Sequence, residues 1–164
     1  GKRLLTNCVT SLLVSLFAIS LYITIRFDKK YALFALLALF HDLLIVFGIF
    51  SWLGIILSVE VNSLFAVSLL TIAGYSVNDT VVIFDRIREN LKSKKEGYNE
   101  TIQLSVNESF RRTTFTSITT LIPLLTLILF GSYSLFWFSL SLSLGILIGS
   151  YSSILLAPSL LLKD

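Results

Sequence analysis

Five stretches of this chain are apolar for long enough to cross a bilayer, and this constrains the fold more than any other feature. A hydrocarbon core about 30 Å thick takes about 20 apolar residues as helix. Such runs occupy about 4–25, 31–57, 64–84, 113–130 and 135–162. The composition agrees: 55% of residues are hydrophobic and 14% charged, where soluble domains carry about 25% charged residues. Mean hydropathy is +0.86. The chain is read as an all-α integral membrane protein, one membrane domain over 1–164.

The first run is longer than the apolar region of a signal peptide, about 7–15 residues. There is no Met and the chain begins at Gly1, so a processed or truncated piece is expected. Cys8 is the single cysteine. It excludes an internal disulfide and reads as a small hydrophobe. No Cys/His cluster suggests a metal. No nucleophile–base pair or phosphate-binding Gly loop suggests an enzyme or an ATPase, so any energy source must be ionic. Net charge is +3. The basic residues lie in breaks between apolar runs, which points to topology and not to nucleic acid.

Lys and Arg concentrate on the cytoplasmic side of membrane proteins. The break at 26–30 holds Arg26, Lys29 and Lys30. The break at 85–112 holds Arg86, Arg88, Lys92, Lys94, Lys95, Arg111 and Arg112, and Lys163 follows the last run. The breaks at 58–62 and 131–134 hold no Lys or Arg, only Glu60. The N-terminus is therefore expected outside and the C-terminus in the cytoplasm. Lys2 and Arg3 run against the rule, which a preceding exported domain would explain.

Within 93–112, Ile102, Val106 and Phe110 repeat every fourth residue, and Asn99 before Glu100 suits a helix cap. This predicts an amphipathic helix on the cytoplasmic surface running into the fourth span. The basic run SKK nearby would attract anionic lipid. In the last span, Ser141, Gly145, Gly149 and Ser153 follow at four-residue spacing, a small-residue face that allows close helix approach. Pro123 is expected to kink the fourth span.

Ionisable groups inside a bilayer are expensive, by about 2.5–3.5 kcal/mol or more, and mark ion paths or pairs. Asp42 and Asp79 are the embedded carboxylates. Asp79 follows the outer boundary at Asn62 by 17 residues, or roughly 25 Å of helix. Arg112 precedes Gly131 by 19 residues, or roughly 28 Å, so the two sit at similar depth on different helices. Arg86, seven residues on, is a rival partner for Asp79. A carboxylate that alternates between a cation and a desolvated setting binds and releases protons; a static ion pair gluing two helices is the other reading, and the residues leave both open. Tyr75 is placed to donate to Asp79, with Asn78 on an adjoining face. Asp42 lies near the midplane and is expected to hydrogen-bond Asn, Ser or Thr on a neighbouring helix, a structural role. His41 beside it titrates in the physiological range but reads as a packing residue.

These residues carry a resemblance. GYSVNDTVVIFDRIREN (74–90) resembles the signature of the SecF family, the small partner of SecD in bacterial-type protein export. RF at 26–27 with HD at 41–42, FRRTTFTSITTL (110–121), FGSYSLFWFSLSLSLGILIGSYSSI (130–154) and AP (157–158) resemble it too. The SecD counterpart is similar to GxxVDANVxIFER, with its acid one position earlier; here Asn78, Asp79 and Thr80 give the SecF order. The resemblance implies spans two to six of SecF, after its exported domain. It implies half of a fold of the resistance–nodulation–division type, packed against SecD. It also implies inward proton flow powering late steps of preprotein export from the SecYEG channel. The family's acid falls on Asp79 and its Arg on Arg112, although this chain has Arg111 and Arg112 where one Arg is expected. Implied partners are SecD, SecYEG, the preprotein and membrane lipids, in a bacterial plasma membrane or a plastid membrane. No cofactor is implied; the coupling ion is a proton, with sodium left open. The alternatives are half of a small-molecule or lipid exporter of the same superfamily, and a structural subunit without proton chemistry.

Overall fold

The computed structural model describes residues 2–59, 62–93 and 97–162, with the side chains of 2–5 excepted. Glu60, Lys94, Lys95, Lys163 and the side chains of Lys2 and Arg3, used above for topology, lie outside the described residues. Hydrocarbon offers the backbone no partners, so each apolar run must close its own hydrogen bonds as a helix. Five long helices result: α1 (Lys2–Arg26), α2 (Lys29–Leu57), α3 (Ser63–Ser93), α4 (Tyr98–Phe130) and α5 (Tyr133–Tyr151). The last span continues through a π-helical turn (Ser152–Leu156) into a short α6 (Ala157–Ser159).

The turn between α2 and α3 is built by two local devices. Ser58 takes the left-handed conformation, φ 52°, and stops α2. Asn62 then accepts the backbone N–H groups of Leu64 and Phe65 on its Oδ1, at 3.0 and 3.2 Å, and starts α3. Such a cap satisfies donors that the first helical turn leaves orphaned.

α3 is the hub and packs against α1, α2, α4 and α5. Two apolar clusters surround it. One holds Ala35, Leu39, Ile83, Phe84, Ile87, Ile102 and Ala157, toward the predicted cytoplasmic end. The other holds Val46, Phe50, Phe65, Leu69, Ile72, Leu142 and Ile146, toward the opposite end. Buried polar residues interrupt the apolar packing: Asp42 on α2 and Ser152 and Ser153 on the π turn lie between the two clusters, and Ser76, Asp79 and Thr80 on α3 lie among members of the first.

α3 and α4 have 31 and 33 residues, or about 46 and 50 Å of helix, longer than the bilayer core. The segment read as a helix running into the fourth span does run into it. From Tyr98 onward it is the first turns of α4, antiparallel to the end of α3. Its cap is Gly97 and not Asn99: Glu100 Oε2 accepts the Gly97 N–H at 3.3 Å, and Thr101 Oγ1 donates to the Gly97 carbonyl at 3.0 Å. The predicted apolar stripe is also corrected. Ile102 is buried, but Phe110 is 52% exposed. The buried line is Thr101, Ser105, Ser109, Thr113 and Ser117. These small hydroxyls let helices approach, and several satisfy themselves on the carbonyl four residues back, as Ser105 does on Thr101 at 2.7 Å. α4 continues through Pro123.

The four-residue face of α5 is buried throughout: Ser141, Gly145, Gly149 and Ser153. A Cβ on Gly145 would collide with the Ile72 side chain, and one on Gly149 would come within 3.3 Å of Ser76 Cβ. The glycines therefore set the closeness of α5 to α3.

Candidate functional site

The Asp79 side of α3 combines burial with an open flank. Asp79 is 3% exposed, and its Oδ2 has no hydrogen-bond partner. One turn of α3 either side is closely packed, with Ser76 and Ile83 buried. Asn78 and Gly74, by contrast, are exposed on the neighbouring face, and a Cβ on Gly74 would meet nothing within 4 Å. Tyr75, predicted to donate to Asp79, points elsewhere. Its hydroxyl bonds to Thr116 O at 3.1 Å and to Thr120 Oγ1, tying α3 to α4. The single helical turn separating Tyr75 from Asp79 carries the two side chains to different neighbours.

Arg112, the expected partner of Asp79, is exposed on α4. The two form no ion pair within 4.0 Å. Arg86, the rival partner, is committed to two other carboxylates: Glu108 at 2.7 Å and Glu89 at 2.7 Å. Glu108 also accepts from Asn90 at 2.8 Å, so this cluster ties the ends of α3 and α4 together. Arg111 stacks over the Phe115 ring at 5.5 Å. Arg111 thus lies against its own helix.

Asp42 is fully buried and fully partnered. Its Oδ2 accepts the hydroxyls of Ser76 and Ser152, both at 2.6 Å, and its Oδ1 lies 3.0 Å from His41 Nδ1. The Ser partners are on the neighbouring helices expected from the sequence. Ser152 is available because the π turn rotates consecutive hydroxyls inward: Ser153 bonds to Thr80 Oγ1 at 2.8 Å and to Ser76 O at 3.3 Å. Thr80, beside Asp79 in the signature, therefore faces α5 and not its neighbour's carboxylate. The π turn carried no periodic signal; the one sequence hint was Pro158, which lacks the N–H that an α-helix would use there.

Where α1 ends, Arg26 pairs with Asp85 at 2.6 Å, and the guanidiniums of Arg26 and Arg88 lie over the Phe27 ring at 5.4 and 5.6 Å. The RF pair of the sequence is thus a clasp between α1 and α3. No group of three or more His, Cys, Asp or Glu suited to a metal occurs among the described residues.

This arrangement has close parallels. Residues 1–163 match the family model described as "Protein export membrane protein SecD/SecF, C-terminal". The chain is 57% identical to the protein translocase subunit SecF of Prochlorococcus marinus, over 98% of this chain and 50% of that protein. It is 42% identical to the protein translocase subunit SecDF of Thermus thermophilus, over 98% of this chain and 21% of that one. Among solved structures, "Crystal structure of SecDF in Super-membrane-facing form" superposes with a TM-score of 0.86 at 42% identity, covering 98% of this chain and 21% of that chain. The chain spans about half the length of the curated SecF relatives it matches. With five helices long and apolar enough to cross a membrane and a family match along its length, this integral membrane protein belongs to the SecD/SecF C-terminal family of protein export membrane proteins.

Proposed function

We propose that this chain is the membrane portion of a Sec translocase subunit that, together with SecD, uses the proton motive force for late steps of preprotein export. The single observation that carries this reading is the state of Asp79: buried and unpartnered at Oδ2. A carboxylate held this way responds to a proton or to an approaching polar group, whereas a static helix glue would be paired. Support for SecD as the partner comes from the relative in which SecD and SecF are one chain. The exposed Gly74 and Asn78 beside Asp79 supply a polar, sterically open face within a hydrophobic helix. SecYEG and the emerging preprotein are the further partners of this reading, with the N-terminus outside and the C-terminus in the cytoplasm. The membrane is a bacterial plasma membrane or a plastid membrane.

The test is Asp79→Asn in the full-length subunit with SecD. Export driven by the proton motive force is expected to vanish, with membrane insertion and SecD association intact. Export at the wild-type rate under full proton motive force would sink the proposal. Replacing the proton gradient by a sodium gradient in the same assay distinguishes the coupling ion.

A further inference from the structure

Asp42 and His41 are not used by the function proposed above, and their surroundings have a property that a static structural carboxylate does not need. Ser152 Oγ has two acceptors within reach, Asp42 Oδ2 at 2.6 Å and its own helix's Gly149 O at 3.1 Å. His41 is the neighbour that connects Asp42 with the outside of the bundle: its side chain is 34% exposed, against 0% for Asp42. We propose that His41 and Asp42 form a second proton-binding site of this membrane domain, separate from Asp79, in which His41 delivers the proton and the π turn accommodates it.

Both protonation states are satisfied by groups already in place. With Asp42 ionised, Oδ1 accepts the His41 Nδ1–H, and Oδ2 accepts Ser76 and Ser152. When a proton arrives at His41 Nε2, the Nδ1–H bond breaks and an Oδ1–H bond forms on Asp42. The imidazole is left neutral in its other tautomer, and Nδ1 now accepts from Oδ1–H across the same 3.0 Å contact. Oδ2 becomes a carbonyl oxygen that still accepts Ser76, and the Ser152 hydroxyl turns to Gly149 O. No donor or acceptor is stranded, which matters because a buried unsatisfied polar group costs about 1–3 kcal/mol.

No other charge intervenes. The helices α5 and α6 and the π turn contribute no Asp, Glu, Lys, Arg or His. From α3, Asp79 is the nearest carboxylate in sequence to the Asp42 partner Ser76, and it is not among the groups bonded to Asp42. From α1, Arg26 is engaged with Asp85. Ser76 lies three residues before Asp79, so a hydroxyl rearrangement at Asp42 acts on the helix turn that carries the other site.

The inference deepens the proton-driven reading, but its test does not need export. Infrared difference spectra of the full-length subunit with SecD in lipid nanodiscs are recorded as pH falls from about 8 to 5. In Asp79→Asn, a carboxylic-acid carbonyl band is expected to appear, and adding Asp42→Asn is expected to abolish it. His41→Gln, which keeps the hydrogen bond but cannot relay, is expected to slow the band's rise after a pH jump by about 100-fold. Should the double variant fold poorly, Ser76→Ala and Ser152→Ala leave the carboxylate in place and are expected to move the band's frequency by removing its donors. Absence of any such band in Asp79→Asn overturns the proposal, as does a band that survives Asp42→Asn or is unmoved by both Ser variants. Normal export without Asp79 would sink the proposed function and leave this site standing.

Discussion

Asp42 and Asp79 are two carboxylates at nearly one depth with opposite surroundings. Asp42 is 15 residues from the end of α2 at Leu57, and Asp79 is 16 residues from the start of α3 at Ser63, or about 22 and 24 Å of helix. Both are buried. Asp42 has three partners drawn from α2, α3 and the π turn. Asp79 Oδ2 has none, and the flank beside it is open. Burial alone therefore does not tell what an intramembrane acid does. A closed shell of donors joins helices of one subunit, whereas an incomplete shell at an open face awaits a group from outside the chain.

The comparison breaks most visibly at Asp79. Asp79→Asn is expected to abolish export but to change the subunit's own stability by less than about 1 kcal/mol, since no hydrogen bond at Oδ2 is lost; unfolding in mixed micelles measures this. Asp42→Leu is expected to do the reverse of that stability result. It strands the Ser76 hydroxyl, leaves Ser152 only the Gly149 carbonyl and removes the anion both bond, with a loss of about 2–4 kcal/mol. If Asp79→Asn proves the more destabilising of the two, the contrast between a closed and an open shell is wrong.

Smaller changes sharpen the same contrast. Gly145→Val drives a side chain into Ile72 and is expected to destabilise by about 1–3 kcal/mol through overpacking, read by the same unfolding assay. Tyr75→Phe removes the tie from α3 to Thr116 and Thr120. The expected loss is about 1 kcal/mol, with export reduced less than by Asp79→Asn. A Tyr75→Phe variant as inert as Asp79→Asn would restore Tyr75 as a direct partner of the carboxylate. Arg86→Gln opens the half-exposed pairs to Glu89 and Glu108 and is expected to leave the unfolding midpoint unchanged in the same assay, because water screens them. A clear shift would show this ion-pair cluster to be a principal tie between α3 and α4.

Much of the fold was legible in the residues. The spans follow from run length, and the buried face of α5 from the spacing of Ser141, Gly145, Gly149 and Ser153. The amphipathic reading of 93–112 went astray because it followed the large apolar residues. Phe110 faces outward and the Thr101–Ser117 hydroxyl line faces inward, since close helix contact in a membrane selects small side chains over large ones. The partners of Arg86 and Tyr75 were misread for a related reason: distance along one helix was weighed, while the neighbouring helix supplied Glu108, Thr116 and Thr120.

The sequence by itself determined that five helices span a membrane, because a backbone in hydrocarbon has to satisfy its own hydrogen bonds. It also determined which residues are ionisable at depth and how they are spaced along each axis. The tertiary structure alone decided which polar side chains meet. Each residue advances about 100° around a helix, so a partner is fixed by how neighbouring helices are rotated and crossed. The π turn at Ser152–Leu156 shifts that rotation partway along the last span. Ser152 consequently reaches Asp42, Ser153 reaches Thr80, and Asp79 Oδ2 is left buried without a partner.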